Sequence, residues 1–379
     1  MKKTLCAILA VLMLVGCLAA CGGNPTPSAA PSTQPSQAPS AAPFAEPSGA
    51  PEADPFADMD EIQLIYSSTK NEKADAAQLA YLDAITEASG GKVQFDVYLS
   101  NSLISSTRDI PDGVASGIAD IATLNINNYT GLFPLNHNVI SIPLTGVTDA
   151  ARLDVMNYMY DKYPELEQEF TDAGLKLLGW STTNASNLGV KLGKEYTSIA
   201  DIKNVKITGA SETEMDILAD AGAVPVTIAF PEIYQSLEKN VISGFMNHSA
   251  PAFSMSFYEH IDNWVVFGEG SGIDTNLVAV CMGLDKWNSL PAEVQALFEQ
   301  FEPDRAAAEL QTQLSFDKML KEKMQEDGKH YVVLTEEQIA EWEPFVQPIK
   351  DQIISDMEAS HPGFEAMYED FCAQLETYK

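Results

Sequence analysis

A short apolar stretch followed by a helix start is the first feature of the sequence that could do chemistry. Residues 205–208 read "VKIT" and form a strand that runs into Gly209. Ser211 and Glu214 then give the Ser-x-x-Glu pattern of a helix capping box. We call residues 208–214 the helix mouth. Because the N–H groups at a helix N-terminus carry partial positive charge, the mouth is expected to face a cleft and favour an anion or a polar group.

No other arrangement of residues is typical of a catalytic or metal site. The five histidines are scattered, and none stands beside a serine or cysteine in a recognisable motif. The sequence contains no G-x-S-x-G, no H-E-x-x-H and no glycine-rich phosphate loop. Cysteines and histidines do not cluster at metal-ligand spacing. We therefore expect no enzyme activity, no metal and no cofactor, although a lone pair of catalytic carboxylates stays open.

Alternating strands and helices must position the mouth. This order predicts an α/β fold with mostly parallel sheets, helices on both faces and two lobes. Ligands of such sheets bind beyond the carboxyl ends of the strands. The principal strands are expected at 62–69, 92–100, 120–125, 175–183, 205–208, 223–229 and 242–248.

The second half of the chain predicts crossings between the lobes and a long helix. Residues 264–268 and 277–283 are extended and apolar. Pro291 opens a long helix that is interrupted or kinked at Pro303. Thr335 caps the helix that follows.

The N-terminal residues indicate export and a tether. Residues 1–21 have a charged start, a short apolar core and a lipobox that ends in Cys21, which we predict to be lipidated. Cys17 fits almost as well, and an ordinary cleaved signal is the alternative. Residues 22–59 are rich in Pro, Ser and Ala and predict a disordered tether, with a glycosylated stalk as the alternative. The expected location is the extracytoplasmic face of the cell membrane, with the lipid as anchor.

Composition excludes some partners. The formal net charge is −32 at pH 7, which argues against nucleic acid and anionic lipid. Beyond the signal only Cys281 and Cys372 remain, and one such pair in an exported protein leaves a disulfide open.

Four stretches in order resemble the DctP-type solute receptors of TRAP transporters. They cover most of the folded part, and "FP" at 133–134 follows the second. The stretches are Tyr81–Leu103, Gly113–Asn125, Ser198–Asn247 and Leu284–Phe298. The resemblance implies a type II periplasmic-binding-protein-like fold, with two α/β lobes, hinge strands and a long lobe-spanning helix. It also implies capture of a small polar solute and delivery to a membrane permease with one small and one large subunit.

With that fold, residues 60–183 plus about 265–290 are expected to form lobe 1. Residues 184–264 plus about 291–379 are expected to form lobe 2 and the C-terminal helices. A binding protein of the same fold that serves an ABC importer or a sensor is one alternative function. A secreted hydrolase is a weaker one.

Two arginines that many members of the resembled family use for a substrate carboxylate are missing here. Thr208 in "KITG" stands where "KIRV" would place the first. The segment after "LGW" contains Asn184, Ser186 and Asn187 and no basic residue. Since an unpaired carboxylate is costly to desolvate, we expect an uncharged or weakly held solute such as a sugar, polyol, amide or zwitterion.

Other candidate residues follow from the same resemblance. Asn247 matches the family's cleft asparagine, with a turn residue as the alternative, and Phe230 matches an aromatic ring that packs on the ligand, with a core residue as the alternative. Asn125 ends a strand that would point into the cleft. His248 replaces the usual proline and is interpreted as a loop histidine. The complete set of predicted ligand-binding residues is Asn125, Thr208, Phe230, Asn247, Ser106, Arg108, Asn71 and Ser186.

Overall fold

The protein is described here from a computed structural model that covers residues 54–72, 74–143 and 146–378. The predicted signal peptide, the predicted lipid site at Cys21 or Cys17 and nearly all of the predicted tether lie outside these residues. None of the helices in the described ranges is long and apolar enough to cross a membrane.

Strands and helices alternate as the sequence predicts. The strands are β1 (Ile62–Ser67), β2 (Val93–Tyr98), β3 (Ile121–Asn125), β4 (Leu175–Thr182), β5 (Asn187–Val190), β6 (Lys206–Thr208), β7 (Val224–Pro225), β8 (Gly244–Asn247), β9 (Asn263–Val266), β10 (Leu277–Gly283) and β11 (His330–Val333). The helices are α1 (Ala76–Ala88), α2 (Ile110–Ala115), α3 (Pro134–Ser141), α4 (Asp149–Lys162), α5 (Glu165–Asp172), α6 (Glu212–Asp220), α7 (Ile233–Glu238), α8 (Ser249–Ser254), α9 (Leu284–Ser289), α10 (Ala292–Glu326), α11 (Glu336–Ala340), α12 (Glu343–Ser360) and α13 (Phe364–Glu376).

The strands form two sheets, and each sheet is the centre of one lobe. The first sheet has the order β2-β1-β3-β10-β4, and the second has the order β11-β9-β5-β8-β6-β7. Helices pack against both sheets and bury separate apolar clusters. The fold is therefore α/β with two lobes of the type II kind, as predicted.

The sheets are mixed rather than mostly parallel. Strand β10 runs antiparallel to both β3 and β4, and β5 runs antiparallel to both β8 and β9. The reason is the path of the chain, since β10 enters the first sheet from the second one and so runs against β4, which leaves it. The alternating βα order in the sequence does not reveal these reversed strands.

Two adjacent segments join the lobes, and we call residues 182–187 and 267–277 the hinge. The Thr183 N–H donates to the Asn276 carbonyl at 3.0 Å, and the Ser186 N–H donates to the Asp274 carbonyl at 2.8 Å. The ladder of the first sheet therefore continues across the hinge. Asn184 Nδ2 also donates to the Gln313 carbonyl on α10 at 2.8 Å.

Helix α10 spans both lobes, because its two halves are buried in different cores. Leu297 and Phe298 pack in the cluster between α1 and the first sheet. Leu320 and Met324 pack in a cluster of the second lobe. The helix is continuous through Pro303, so the predicted interruption does not occur.

The C-terminal helices also reach both lobes. Trp342 and Val346, around the start of α12, belong to a core of the second lobe. Phe364 and Phe371 of α13 belong to the largest core of the first lobe. The residues after 291 are thus shared between the lobes. Cys281 and Cys372 do not form a disulfide with each other.

Candidate functional site

The helix mouth has the predicted cap, and the side chains of the cap bond part of its N–H groups. Ser211 Oγ accepts from the Glu214 N–H at 3.1 Å, and Glu214 Oε2 accepts from the Ser211 N–H at 3.3 Å and from the Ala210 N–H. The Gly209 N–H donates to Met215 Sδ at 3.0 Å. That the mouth favours an anion or a polar group stays a prediction, since the N–H groups of Glu212 and Thr213 take no part in the cap.

The carboxyl of Glu214 lies in a buried polar cluster under the hinge. The Ser186 hydroxyl and the Asp274 carboxyl lie near it, but neither Ser186 Oγ nor Glu214 Oε1 makes a well-aligned hydrogen bond. Burial raises the pKa of both carboxyls, and the charge of Asp274 raises that of Glu214 further. The neighbouring guanidinium of Arg152 acts in the opposite direction on the pKa of Asp274.

Asp149, at the start of α4, connects this cluster to the first lobe. Its Oδ2 accepts from the Ala185 N–H of the hinge at 2.9 Å. Burial raises the pKa of Asp149 to about 7, against the opposing effect of Arg152. The cluster therefore carries partly protonated acids at neutral pH.

A second polar feature joins the lobes through Asn276, a hinge residue two positions after Asp274. His137 Nδ1 lies 2.8 Å from Asn127 Oδ1, the Asn127 amide donates to Asn276 Oδ1, and Asn276 Nδ2 lies 3.3 Å from His248 Nε2. We call His137, Asn127, Asn276 and His248 the interlobe chain. It starts on α3, crosses the hinge and ends at the carboxyl end of β8.

Both histidines of the interlobe chain are neutral at neutral pH. Burial lowers the pKa of His137 to about 4 and that of His248 to about 4. A neutral His248 accepts at Nε2 from the Asn276 amide, which fixes its tautomer with the proton on Nδ1. No well-aligned hydrogen bond forms at Nδ1, although the ring lies close to the backbone of Asn184 and Ala185. His248 lies in the loop between β8 and α8, as expected from the sequence, and its ring is positioned by Asn276.

Four of the predicted ligand residues lie at the strand ends that meet the hinge. In the second sheet Asn247 is the register partner of Asn187, next to Ser186, and Thr208 is the partner of Phe245. Asn247 is buried, and its Oδ1 accepts from the His248 N–H at 2.8 Å, which leaves Nδ2 as a donor. In the first sheet Asn125 ends β3, and its Oδ1 accepts from the Asn127 N–H at 3.2 Å. These four side chains adjoin the helix mouth and the interlobe chain.

The other four predicted ligand residues lie at the surface. Phe230 is 47% exposed and packs edge-to-face on Phe257 at 6.1 Å between ring centroids. Asn71 Oδ1 caps its own loop by accepting from the Ala74 N–H at 3.0 Å. Ser106 is half-buried and precedes a short helical turn, and Arg108 is exposed in that turn. Their part in binding stays a prediction.

Several central residues were not predicted. Asn127, His137 and Asn276 were passed over, and Asp274 lies in a segment that reads as a plain connection between strands. The one available signal for Asp274 and Asn276 was the run of polar residues "DTN" at 274–276, just before an apolar strand. Such a run indicates that the segment between the lobes is polar. Among the described residues, no group of three or more His, Cys, Asp or Glu side chains could hold a metal ion.

Comparison with known families and sequences agrees with this architecture. The family described as "Bacterial extracellular solute-binding protein, family 7" matches residues 65–356. A solute-binding protein of Sulfitobacter sp. NAS-14.1 is 28% identical over 224 residues, which are 57% of this chain and 63% of that protein. The 2,3-diketo-L-gulonate-binding periplasmic protein YiaO of Escherichia coli K12 is 25% identical over 201 residues, 51% of this chain and 58% of that protein. The chain spans about three fifths of the length of these two relatives.

Solved structures show the same fold. A TRAP periplasmic solute-binding protein of Desulfovibrio salexigens superposes with a TM-score of 0.73 at 20% identity, over 84% of this chain and 97% of that one. Another, from Chromohalobacter salexigens with bound D-glucuronate, gives a TM-score of 0.68 at 18% identity, over 82% of this chain and 99% of that one. At these identities the likeness concerns the fold alone.

Proposed function

The chain belongs to family 7 of the bacterial extracellular solute-binding proteins, and we propose that it captures a small, uncharged polar solute between its two lobes and delivers it to a TRAP-type secondary transporter. The solute shifts an equilibrium between open and closed arrangements of the lobes. We further propose that Cys21 carries the lipid that holds the protein outside the membrane. The predicted tether, residues 22–59, would then end before Phe56, which is buried in a core of the first lobe. The lobe boundaries given above are part of this proposal.

The interlobe chain is the observation that carries the proposal. It brings neutral amide and imidazole groups from both lobes to one place, and each amide can both donate and accept a hydrogen bond. Hydroxyl groups of a sugar or polyol have the same double capacity. Asn247 Nδ2 and Thr208 add donors and acceptors at the neighbouring strand ends.

The charge around the hinge favours the same class of solute. Burial disfavours the charged form of both histidines, and the buried groups near the mouth are predominantly acidic. Arg152 lies beside Asp149 and Asp274 and is fully buried. A carboxylate solute would therefore meet acids and neutral amides rather than a guanidinium fork. In this respect the chain is expected to differ from its relative with bound D-glucuronate.

A thermal-shift screen followed by calorimetry tests the proposal. The panel contains neutral sugars, polyols and amides together with their carboxylate counterparts, for example D-glucose with D-glucuronate. A neutral solute should raise Tm by binding the native state only, and calorimetry should give a defined Kd. Tight binding of simple dicarboxylates together with no binding of neutral solutes would refute the proposed class. Hydrolysis of a bound solute would favour a secreted enzyme instead.

A further inference from the structure

The middle of α10 carries polar residues that are turned towards the rest of the protein. Glu309, Gln313 and Asp317 lie four residues apart, so their side chains share one side of the helix. Glu309 is buried and the other two are half-buried, whereas Gln311 between them is exposed. We call Glu309, Gln313 and Asp317 the polar face of α10. Because buried polar groups need hydrogen-bond partners, the partners of this face show what it holds.

Glu309 holds the segment that follows β1 in the first lobe. Its Oε1 accepts from Lys70 Nζ at 3.0 Å and from Gln313 Nε2 at 3.1 Å. Lys70 also lies 3.9 Å from the buried carboxyl of Asp75. It directly precedes Asn71, one of the predicted ligand residues. Since hydrogen bonds between charged groups are stronger than neutral ones, the pair of Lys70 and Glu309 fixes this segment against α10.

Gln313 and Asp317 hold the hinge. Asn184 Nδ2 donates to the Gln313 carbonyl at 2.8 Å and to Asp317 Oδ2 at 3.2 Å. Asn184 is itself buried, and it lies two residues before Ser186, another predicted ligand residue. The hinge is therefore bonded to α10 at this point through the side chain of a buried residue.

Asp317 also contacts the second lobe. The hydroxyl of Ser249, the first residue of α8, lies beside its carboxyl and is fully buried. Helix α8 packs on α10 through Phe253, whose ring centroid lies 6.4 Å from that of Phe316. Ser249 lies two residues after Asn247, a third predicted ligand residue. The polar face thus meets the first lobe, the hinge and the second lobe, each time within two residues of a predicted ligand residue.

We propose that Glu309 and Asp317 are positioning residues for solute capture, which align three segments that carry predicted ligand residues from one face of one helix. This inference rests on the proposed function, because the alignment of Asn71, Ser186 and Asn247 matters only if a solute is captured between the lobes. It goes further by giving a role to a helix that supplies no predicted ligand residue.

Amide hydrogen exchange of the full chain tests the alignment without any solute. Glu309→Ala should speed exchange about tenfold in residues 68–72 and leave residues 247–254 unchanged. Asp317→Ala should speed exchange about tenfold in residues 183–187 and 247–254 and leave residues 68–72 unchanged. Gln311→Ala is the matched control, because Gln311 is exposed on the opposite side of the same helix. If the alanine variants do not fold, Lys70→Met decides, since it removes the ion pair from a partly exposed partner.

Calorimetry then tests whether the alignment matters for capture. The probe is D-glucose or, where it binds wild type more tightly, another neutral member of the panel given above. Affinity should fall about tenfold in Glu309→Ala, Lys70→Met and Asp317→Ala. Glu309→Gln and Asp317→Asn keep an acceptor oxygen and should recover most of the affinity.

A core substitution separates alignment from a general loss of stability. Ile85→Val lowers stability in the core under α1 and does not touch the polar face of α10. Its affinity for the probe should equal that of wild type. An equal fall of affinity in Ile85→Val would overturn the proposal.

The remaining outcomes separate this proposal from the proposed function. Unchanged exchange in the folded alanine variants overturns the positioning role. Faster local exchange with unchanged affinity overturns the role in capture and leaves the proposed function standing. If no panel solute binds wild type, the proposed function is overturned instead, and the exchange rates alone decide whether the polar face holds the three segments.

Discussion

Asn276 Nδ2 lies 3.3 Å from His248 Nε2, so a hinge residue and the end of a strand in the second lobe share a hydrogen bond. The same Asn276 side chain accepts from Asn127 of the first lobe. One amide thus contacts both halves of the protein at the place where they join. Its position makes the relative orientation of the lobes sensitive to a single side chain.

Replacement of this amide should weaken both stability and binding. Asn276→Leu keeps the approximate volume and removes both contacts, which should lower the free energy of unfolding by about 1–2 kcal/mol. Affinity for the best neutral solute should fall about tenfold, because the amide is no longer there to bond solute or to align the lobes. Chemical denaturation and calorimetry measure the two effects. Asn288→Leu is the control, since Asn288 is exposed on α9; equal effects in the two variants would contradict the role of Asn276.

His248 should make the protein less stable in acid. Burial lowers its pKa from 6.5 to about 4, so its contribution to stability is complete above pH 6.5 and is lost as the pH falls towards 4. The stability difference between wild type and His248→Gln should therefore shrink by about 3 kcal/mol from pH 7 to pH 4. Denaturant unfolding at several pH values gives this difference.

The effect of His248 has to be read from the difference between wild type and variant, because buried acids change the stability of both with pH in the opposite direction. The raised pKa of Asp149 makes the folded state gain stability as the pH falls through about 7, and this gain offsets part of the loss from histidine. His361→Gln is the control, since His361 lies outside the interlobe chain and its ring bonds the adjacent Ser360 hydroxyl. A difference for His248→Gln that does not change with pH would contradict the lowered pKa of this ring.

Phe230 should affect binding without affecting stability. Its ring is 47% exposed, so Phe230→Ala removes little buried surface and should change the free energy of unfolding by less than about 1 kcal/mol. If the ring packs on the solute when the lobes close, affinity should fall about tenfold. Calorimetry provides the measurement, with Met255→Ala as the control at a residue of the same lobe that is 38% exposed. Unchanged affinity would remove Phe230 from the site.

Gly179 should tolerate no side chain. A Cβ there would lie 1.8 Å from the carboxyl of Glu302 on α10. That carboxyl binds Arg305 at 2.6 Å and accepts from the Trp180 N–H at 3.2 Å. Gly179→Ala should therefore lower the free energy of unfolding by about 3 kcal/mol or more, because it displaces a buried ion pair. Gly131→Ala, where a Cβ would meet no atom within 4 Å, should be close to neutral in the same denaturation experiment.

Cys21 is expected to hold the protein at the membrane. In cells, Cys21→Ser should release most of the protein from the membrane fraction, and Cys17→Ser should not. Fractionation followed by mass spectrometry of the N-terminal peptide checks both variants. Release by Cys17→Ser alone would move the lipid to that residue.

Much of the fold follows from local patterns in the sequence. The caps at Ser211 and Thr335 are present because each residue three positions on, Glu214 or Gln338, bonds back to the cap. The reversed direction of β10 is different, since it depends on which lobe the chain comes from. No local pattern records that information.

The candidate site depends on the same difference between local and distant information. Thr208, Ser186, Asn247 and Asn125 can be named as candidates because each lies at a strand end whose sequence resembles a known family, and their part in binding stays a prediction. Asn276 gains its importance only from neighbours that lie far away in sequence, such as Asn127 at a separation of 149 residues.

Helix α10 fixes the distance between the two cores. Its 35 residues span roughly 50 Å, with Leu297 fixed in one core and Leu320 in the other. Insertion of one residue between these anchors would turn the far half by about 100° and advance it by about 1.5 Å. One anchor would then leave its core. The number of residues between Leu297 and Leu320 is thus as much a part of the binding geometry as any side chain in the cleft.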